Sequence, residues 1–77
     1  MSRQFFLTFG VYQYGGALKD HYVIIEADSH LLARQLCFRT FGQKWSMCTE
    51  AKNFDASFYP AGPISLERAV EIAKANG

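Results

Sequence analysis

Cysteine is scarce in this chain. Only Cys37 and Cys48 occur among 77 residues, whereas a small secreted domain stapled by disulfides carries about four to eight. The pair reads as two reduced, half-buried thiols of a cytoplasmic protein. The sharper alternatives are a redox pair or half of a metal site. Their separation of eleven residues matches no zinc motif, and His21 and His30 sit elsewhere. Long apolar runs are also missing. No stretch approaches the ~20 residues needed to cross a bilayer. The opening MSRQFFLTFG has one basic residue and a short apolar run broken by Thr8 and Gly10, without the length or cleavage site of a signal peptide. Neither sign of charge is in excess: Lys plus Arg is 8 and Asp plus Glu is 7, a net charge of +1. That balance argues against a partner whose main feature is a phosphate backbone.

Catalytic signatures are absent as well. The two histidines have no Ser or Cys nucleophile at a recognisable spacing. Asp20, Glu26, Asp28, Glu50, Asp55, Glu67 and Glu71 are scattered, so neither a metal site nor a carboxylate pair has support. Gly10, Gly15 and Gly16 sit between strands, not at a helix entrance where amides could face a phosphate. The expectation is a protein that is not an enzyme, with no cofactor and no metal.

What is present is apolar and aromatic. Apolar residues make up 49% and charged residues 19%, which excludes a disordered tail. Aromatics reach 16%, with seven Phe, four Tyr and one Trp. One thin core cannot easily hide so many rings.

The periodicities predict one α+β domain over residues 1–77. Residues 4–14 read as a strand, with Phe5, Leu7, Phe9 and Val11 on one face and Phe6, Thr8, Gly10, Tyr12 and Tyr14 on the other. A glycine turn follows at 15–20. The β-branched run HYVIIEA at 21–27 is the second strand. Asp28 and Ser29 are N-caps for a helix, HLLARQLCFRTF, whose stripe is Leu32, Ala33, Leu36, Cys37 and Thr40, with Phe41 at its edge. Gly42 ends it. Residues 44–50 form a third strand, with Trp45 and Met47 on one face and Ser46 and Cys48 on the other. A long aromatic loop spans 51–63 and stops at its prolines. Ser65 caps a last helix that ends at Gly77, with a stripe of Leu66, Ala69, Val70 and Ala73.

The element order is β-β-α-β-α. A right-handed crossover through the first helix makes strand three parallel to strand two. Strand one then lies between them, giving a three-stranded antiparallel sheet of order 2-1-3 with the first helix on one face and a C-terminal helix. In this arrangement Leu36 faces Phe5, Leu7 and Phe9. Cys37 faces the same core and Cys48 the opposite face, so the sheet keeps the two thiols apart and unjoined.

The second sheet face would carry Phe6, Tyr12, Tyr14, Tyr22, Ile24 and Cys48. Three coverings are open: the last helix or the aromatic loop, a protein partner or second copy of the chain, or single-stranded nucleic acid stacked on the rings.

Several segments have a recurring order: FFLTFG at the start, YVIIEA followed by Asp-Ser and a helix with Ala33-Arg34, then FGQKWS, then NFDASFYPAG. Over roughly residues 5 to 62 this resembles a group of small phage-encoded proteins. The last helix lies outside the pattern, and Phe58-Tyr59-Pro60 has its two rings in reversed order. The resemblance implies a phage or prophage origin and a location in the cytoplasm of a bacterial host. It carries over no activity and no site residue.

The functional expectation is a small interaction protein that binds and inhibits a host protein, such as a CRISPR complex, a nuclease or a repair enzyme. Its contact residues would be Phe6, Tyr12, Tyr14 and Tyr22 on the sheet and Phe54, Phe58 and Tyr59 on the loop. A homodimer through the open face is a variant of the same idea. The alternative is an accessory module that binds single-stranded nucleic acid, although Glu26 on the face and the near-neutral charge speak against it.

Overall fold

A computed structural model describes residues 2–76 of the protein. Alternating apolar residues build strand β1 (Arg3–Thr8), and the β-branched run builds β2 (His21–Ala27). They pair antiparallel, with Leu7 opposite Val23 and Phe5 opposite Ile25. Helix α1 (His30–Phe41) follows, then β3 (Met47–Glu50), β4 (Gly62–Ile64) and α2 (Leu66–Asn76). Both helix starts are capped by a hydroxyl: Ser29 Oγ accepts from the Leu32 amide at 3.2 Å and Ser65 Oγ from the Arg68 amide at 3.1 Å. Gly42 ends α1 at a φ of 62°, its amide donating to the Phe38 carbonyl at 2.9 Å. Gly77, the expected end of the last helix, lies outside the described residues.

The sheet has the order β3-β1-β2-β4. Strand β1 lies between β2 and β3 and is antiparallel to both, as the crossover argument requires. The purely antiparallel, three-stranded expectation needs correction. A fourth strand, beginning at the end of the expected loop and running one residue past it, pairs parallel to β2, with Val23 opposite Ile64. Its Pro63 looked like a stop signal, but a proline is tolerated on an edge strand, and β4 is an edge.

The first strand is shorter than expected. It ends at Thr8 because the chain turns back: the Gly10 amide donates to Gln13 Oε1 at 2.7 Å, and the Gln13 amide to the Gly10 carbonyl at 3.2 Å. Phe9 still reaches the core, whereas Val11 is exposed. A short 3₁₀ turn, Gln13–Gly16, replaces the end of the expected strand. Tyr12 and Tyr14 are therefore not on the second sheet face. Tyr12 points to solvent and Tyr14 is buried in the main core. Tyr14 has a φ of 53°, a left-handed conformation that a bulky residue rarely adopts. Its ring meets Phe9 at 5.9 Å and Phe41 at 6.3 Å, both edge-on, and this packing holds the backbone there.

The main core lies between the sheet and both helices. It contains Phe5, Leu7, Phe9, Leu18, Val23, Ile25, Ala33, Cys37, Phe41, Cys48 and Ala69. The inner stripe of α1 is Ala33, Cys37 and Phe41, four residues apart, which is rotated from the expected one. Leu36 is only half-buried and Leu32 is exposed. Large apolar residues surround α1, so hydrophobicity alone does not select a face. The small side chains of Ala33 and Cys37 let the helix approach the bulky rings of the sheet.

The register of the third strand is also corrected. Cys48 pairs opposite Leu7 and shares its core face, while Met47 lies opposite Thr8 on the second face. The expected assignment was shifted by one residue, which turns every side chain over. The sheet therefore does not separate the thiols. Both are buried on the helix side, and both are free. Among the described residues no helix is long and apolar enough to cross a membrane.

Candidate functional site

The second sheet face is covered in part by the chain itself. Residues 51–61 are bent by two 3₁₀ turns, Ala51–Asn53 and Ala56–Phe58. Asp55 sets the second turn. Its Oδ1 accepts from the Ser57 amide at 3.0 Å and the Ser57 hydroxyl at 2.6 Å. These hydrogen bonds, the hydroxyl's first, hold the Asp55 carboxyl below its ordinary value, so it is ionised at neutral pH. The far end of the segment is tied to the sheet. The Ala61 amide donates to the Asp20 carbonyl at 3.1 Å, and His21 Nδ1 lies 3.2 Å from the Gly62 carbonyl oxygen. Since a carbonyl only accepts, His21 Nδ1 is the donor.

This path presses Phe54 and Tyr59 onto the sheet. Phe54 meets the Phe6 ring at 4.7 Å, edge-on, and the Tyr22 ring at 4.8 Å. Tyr59 stacks on Phe54 at 5.2 Å, and Phe6 meets Tyr22 at 5.0 Å. Four of the seven expected contact residues thus form one aromatic cluster, a second small core. Phe58 projects away from it and is 74% exposed. Tyr12 and Tyr14 belong to other parts of the surface and core.

Beside the cluster runs a groove of about 200 Å³. It is lined by Phe54, Phe58 and Tyr59 of the loop, by Met47 and Thr49 of the edge strand, and by Asn53 and Asp55. Met47 is 50% exposed. The chemistry is an apolar slot with a fixed negative charge at its rim. Met47 and Thr49 were missed because the third strand was read in the wrong register. The size of Cys48, small enough to pack under a helix, was the available signal.

Thr8 completes the face. Its pairing places it between Tyr22 and Met47. It is 1% exposed, and among the described residues its hydroxyl has no hydrogen-bond partner.

A different surface lies on α1. Trp45 donates its indole N–H to the Gly42 carbonyl at 2.9 Å and packs edge-on against Phe38 at 5.1 Å. The Arg34 guanidinium lies over the Trp45 ring at 5.8 Å. Leu31, on the same flank of the helix, is exposed.

Among the described residues no group of three or more His, Cys, Asp or Glu side chains is arranged to hold a metal ion. No family model matches the chain, and no curated protein or solved structure matches it.

Proposed function

We propose that the protein is a non-enzymatic interaction module that binds and inhibits a host bacterial protein through the groove beside the aromatic cluster. The single observation that carries this reading is the exposed Phe58–Met47 rim. Two large apolar side chains that line one groove are left exposed to solvent. Exposed apolar side chains around a concavity are a common form of protein contact surface. The second core beneath keeps the slot rigid, so little ordering entropy is lost on binding. Asp55 favours a partner segment with an apolar side chain next to a basic one. The phage origin implied by the sequence pattern supplies the host context.

The same geometry disfavours nucleic acid. Phe54 and Tyr59 stack on each other, so part of the ring surface a base would use is occupied. The carboxylate at the rim repels phosphate.

The test is affinity capture from nuclease-treated host lysate with the native protein and with Phe58→Ala. The captured protein's own activity is then assayed with each purified form. The native protein should retain one partner and inhibit it, and Phe58→Ala should lose binding by ~2 kcal/mol or more with unchanged thermal stability. Equal capture and inhibition by both forms would remove the groove from the function.

A further inference from the structure

Helix α1 carries more apolar surface than the core uses. Its buried stripe is Ala33, Cys37 and Phe41. Leu31 and Phe38, two turns apart, lie on one flank of the helix with Arg34 between them. Leu31 is 64% exposed and Phe38 is 48% exposed. Helix α2 is the contrast within the same molecule. Its outward positions are Glu67, Arg68, Glu71 and Lys74, and among the described residues none of its large apolar side chains is exposed. A helix that is apolar on a flank as well as on its inner stripe has the pattern of one covered from a second side.

The flank has a fixed shape. Trp45 folds back from the segment after the helix, and its indole N–H donates to the Gly42 carbonyl at 2.9 Å. Its ring meets Phe38 edge-on at 5.1 Å, and the Arg34 guanidinium lies over it at 5.8 Å. The charge around this flank has one sign. Residues 29–49 contain Arg34, Arg39 and Lys44 but no Asp or Glu, so the segment carries +3 in a chain whose net charge is +1. Among the described residues the ion pairs join Arg3 and Lys52 to Glu50 and Arg68 to Glu71. Arg34, Arg39 and Lys44 are exposed and enter none of them.

We propose that the α1 flank formed by Leu31, Arg34, Phe38 and Trp45 is a second docking surface, and that its occupant is an acidic, apolar segment of a partner protein. Charge complementarity selects this occupant. Carboxylates of the segment pair with Arg34 and Arg39. Large apolar side chains about 10 Å apart, the separation of two helical turns, cover Leu31 and Phe38. A second copy of the chain does not fit, because two α1 flanks meeting across a two-fold axis bring like charges together. Single-stranded nucleic acid fits less well than an acidic segment. Arg34 already lies over the Trp45 ring, and Leu31 offers a base no ring to stack on. The flank lies on the opposite side of the sheet from the groove, so the two surfaces are independent.

The test pans the full-length protein against a displayed library of tryptophan-free peptides about 15 residues long, enough for four helical turns. Enriched peptides are synthesised and titrated while fluorescence is read from Trp45, the only tryptophan of the chain and a part of the proposed surface. One enriched group should combine an excess of Asp and Glu with large apolar residues and shift the Trp45 emission. Its affinity should fall about tenfold or more in the Arg34→Glu, Arg39→Glu double variant and in Leu31→Asp. Phe58→Ala, which removes the groove rim, should leave it unchanged. Circular dichroism checks that each variant is folded, and the Trp45 signal of the native protein needs no substitution. Absence of an acidic group among the enriched peptides would overturn the proposal. So would acidic peptides that leave Trp45 emission unaltered, bind the double variant equally well, or are lost with Phe58→Ala. Tighter binding of an oligothymidine than of any enriched peptide at the same salt, with a Trp45 shift, would assign the flank to nucleic acid instead.

Discussion

Thr8 illustrates how one atom can be costly. Its hydroxyl is buried between Tyr22 and Met47 without a partner among the described residues, so folding removes its hydrogen bonds to water and replaces none that the structure shows. Thr8→Val keeps the shape and removes the polar atom. It should raise stability by about 0.5–1.5 kcal/mol in urea denaturation; a loss of similar size would mean that the hydroxyl is satisfied. Leu36 is the opposite case. Had it been the middle of the buried stripe, Leu36→Ala would cost about 2–5 kcal/mol. It is half-buried at the side of the stripe, so the expected cost is about 1–2 kcal/mol. Phe41, buried against Phe9 at 5.1 Å, takes the larger value: Phe41→Ala should cost about 3–5 kcal/mol in the same assay.

Among the elements, α2 depends most on its start. The helix enters directly from β4, and Ser65 is the only residue between them. Its hydroxyl satisfies the Arg68 amide, and Ala69 then inserts completely into the core. Ser65→Ala should cost about 1 kcal/mol. Hydrogen exchange should show the loss first in α2 and β4, while β1 and β2 remain protected; equal loss everywhere would show that α2 opens only with the whole protein. Strand β4 has a second requirement. Gly62 starts it at a φ of 83°, a conformation open to glycine and strained for other residues. These two positions place the aromatic segment, since its far end is fixed where β4 begins.

Across the whole molecule, the thiol pair makes stability depend on pH. The ordinary thiol value is 9.0, and folding lowers Cys48 to about 7 while raising Cys37. A lowered group contributes fully above its unfolded value and loses its contribution as pH falls through its folded value. A raised group contributes below its unfolded value and loses its contribution as pH rises above it. Stability from this pair should therefore increase from about pH 7 to 9 and decrease above 9. Tyr14, whose phenol is raised by burial, adds to the decrease at high pH. Urea midpoints measured across this range check the sign. Cys48→Ser should flatten the rise, and an unchanged slope would mean that folding does not lower Cys48.

Much of the local structure was legible from the sequence. The run HYVIIEA is β2, HLLARQLCFRTF is α1, and Ser29, Gly42 and Ser65 stand at the helix ends where their hydrogen bonds were expected. These features depend on neighbours a few residues away, so composition and spacing carry them. The antiparallel core of the sheet was also legible, because chain direction and the crossover rule leave few alternatives. Side-chain placement was not. Tyr14 joined the main core because Gln13 closes a turn onto Gly10, a contact that alternation along the strand conceals. Cys48 joined the core that holds Cys37 because β3 starts at Met47, and a one-residue shift reverses both faces. The partial cover of the second face was read only as one of three options. Whether Phe54 and Tyr59 reach Phe6 and Tyr22 depends on Gly62-Pro63-Ile64 finding the free edge of β2, a pairing about forty residues apart in sequence. Hydrogen bonds within a turn are encoded where they form. An edge and a register exist only after distant segments have met.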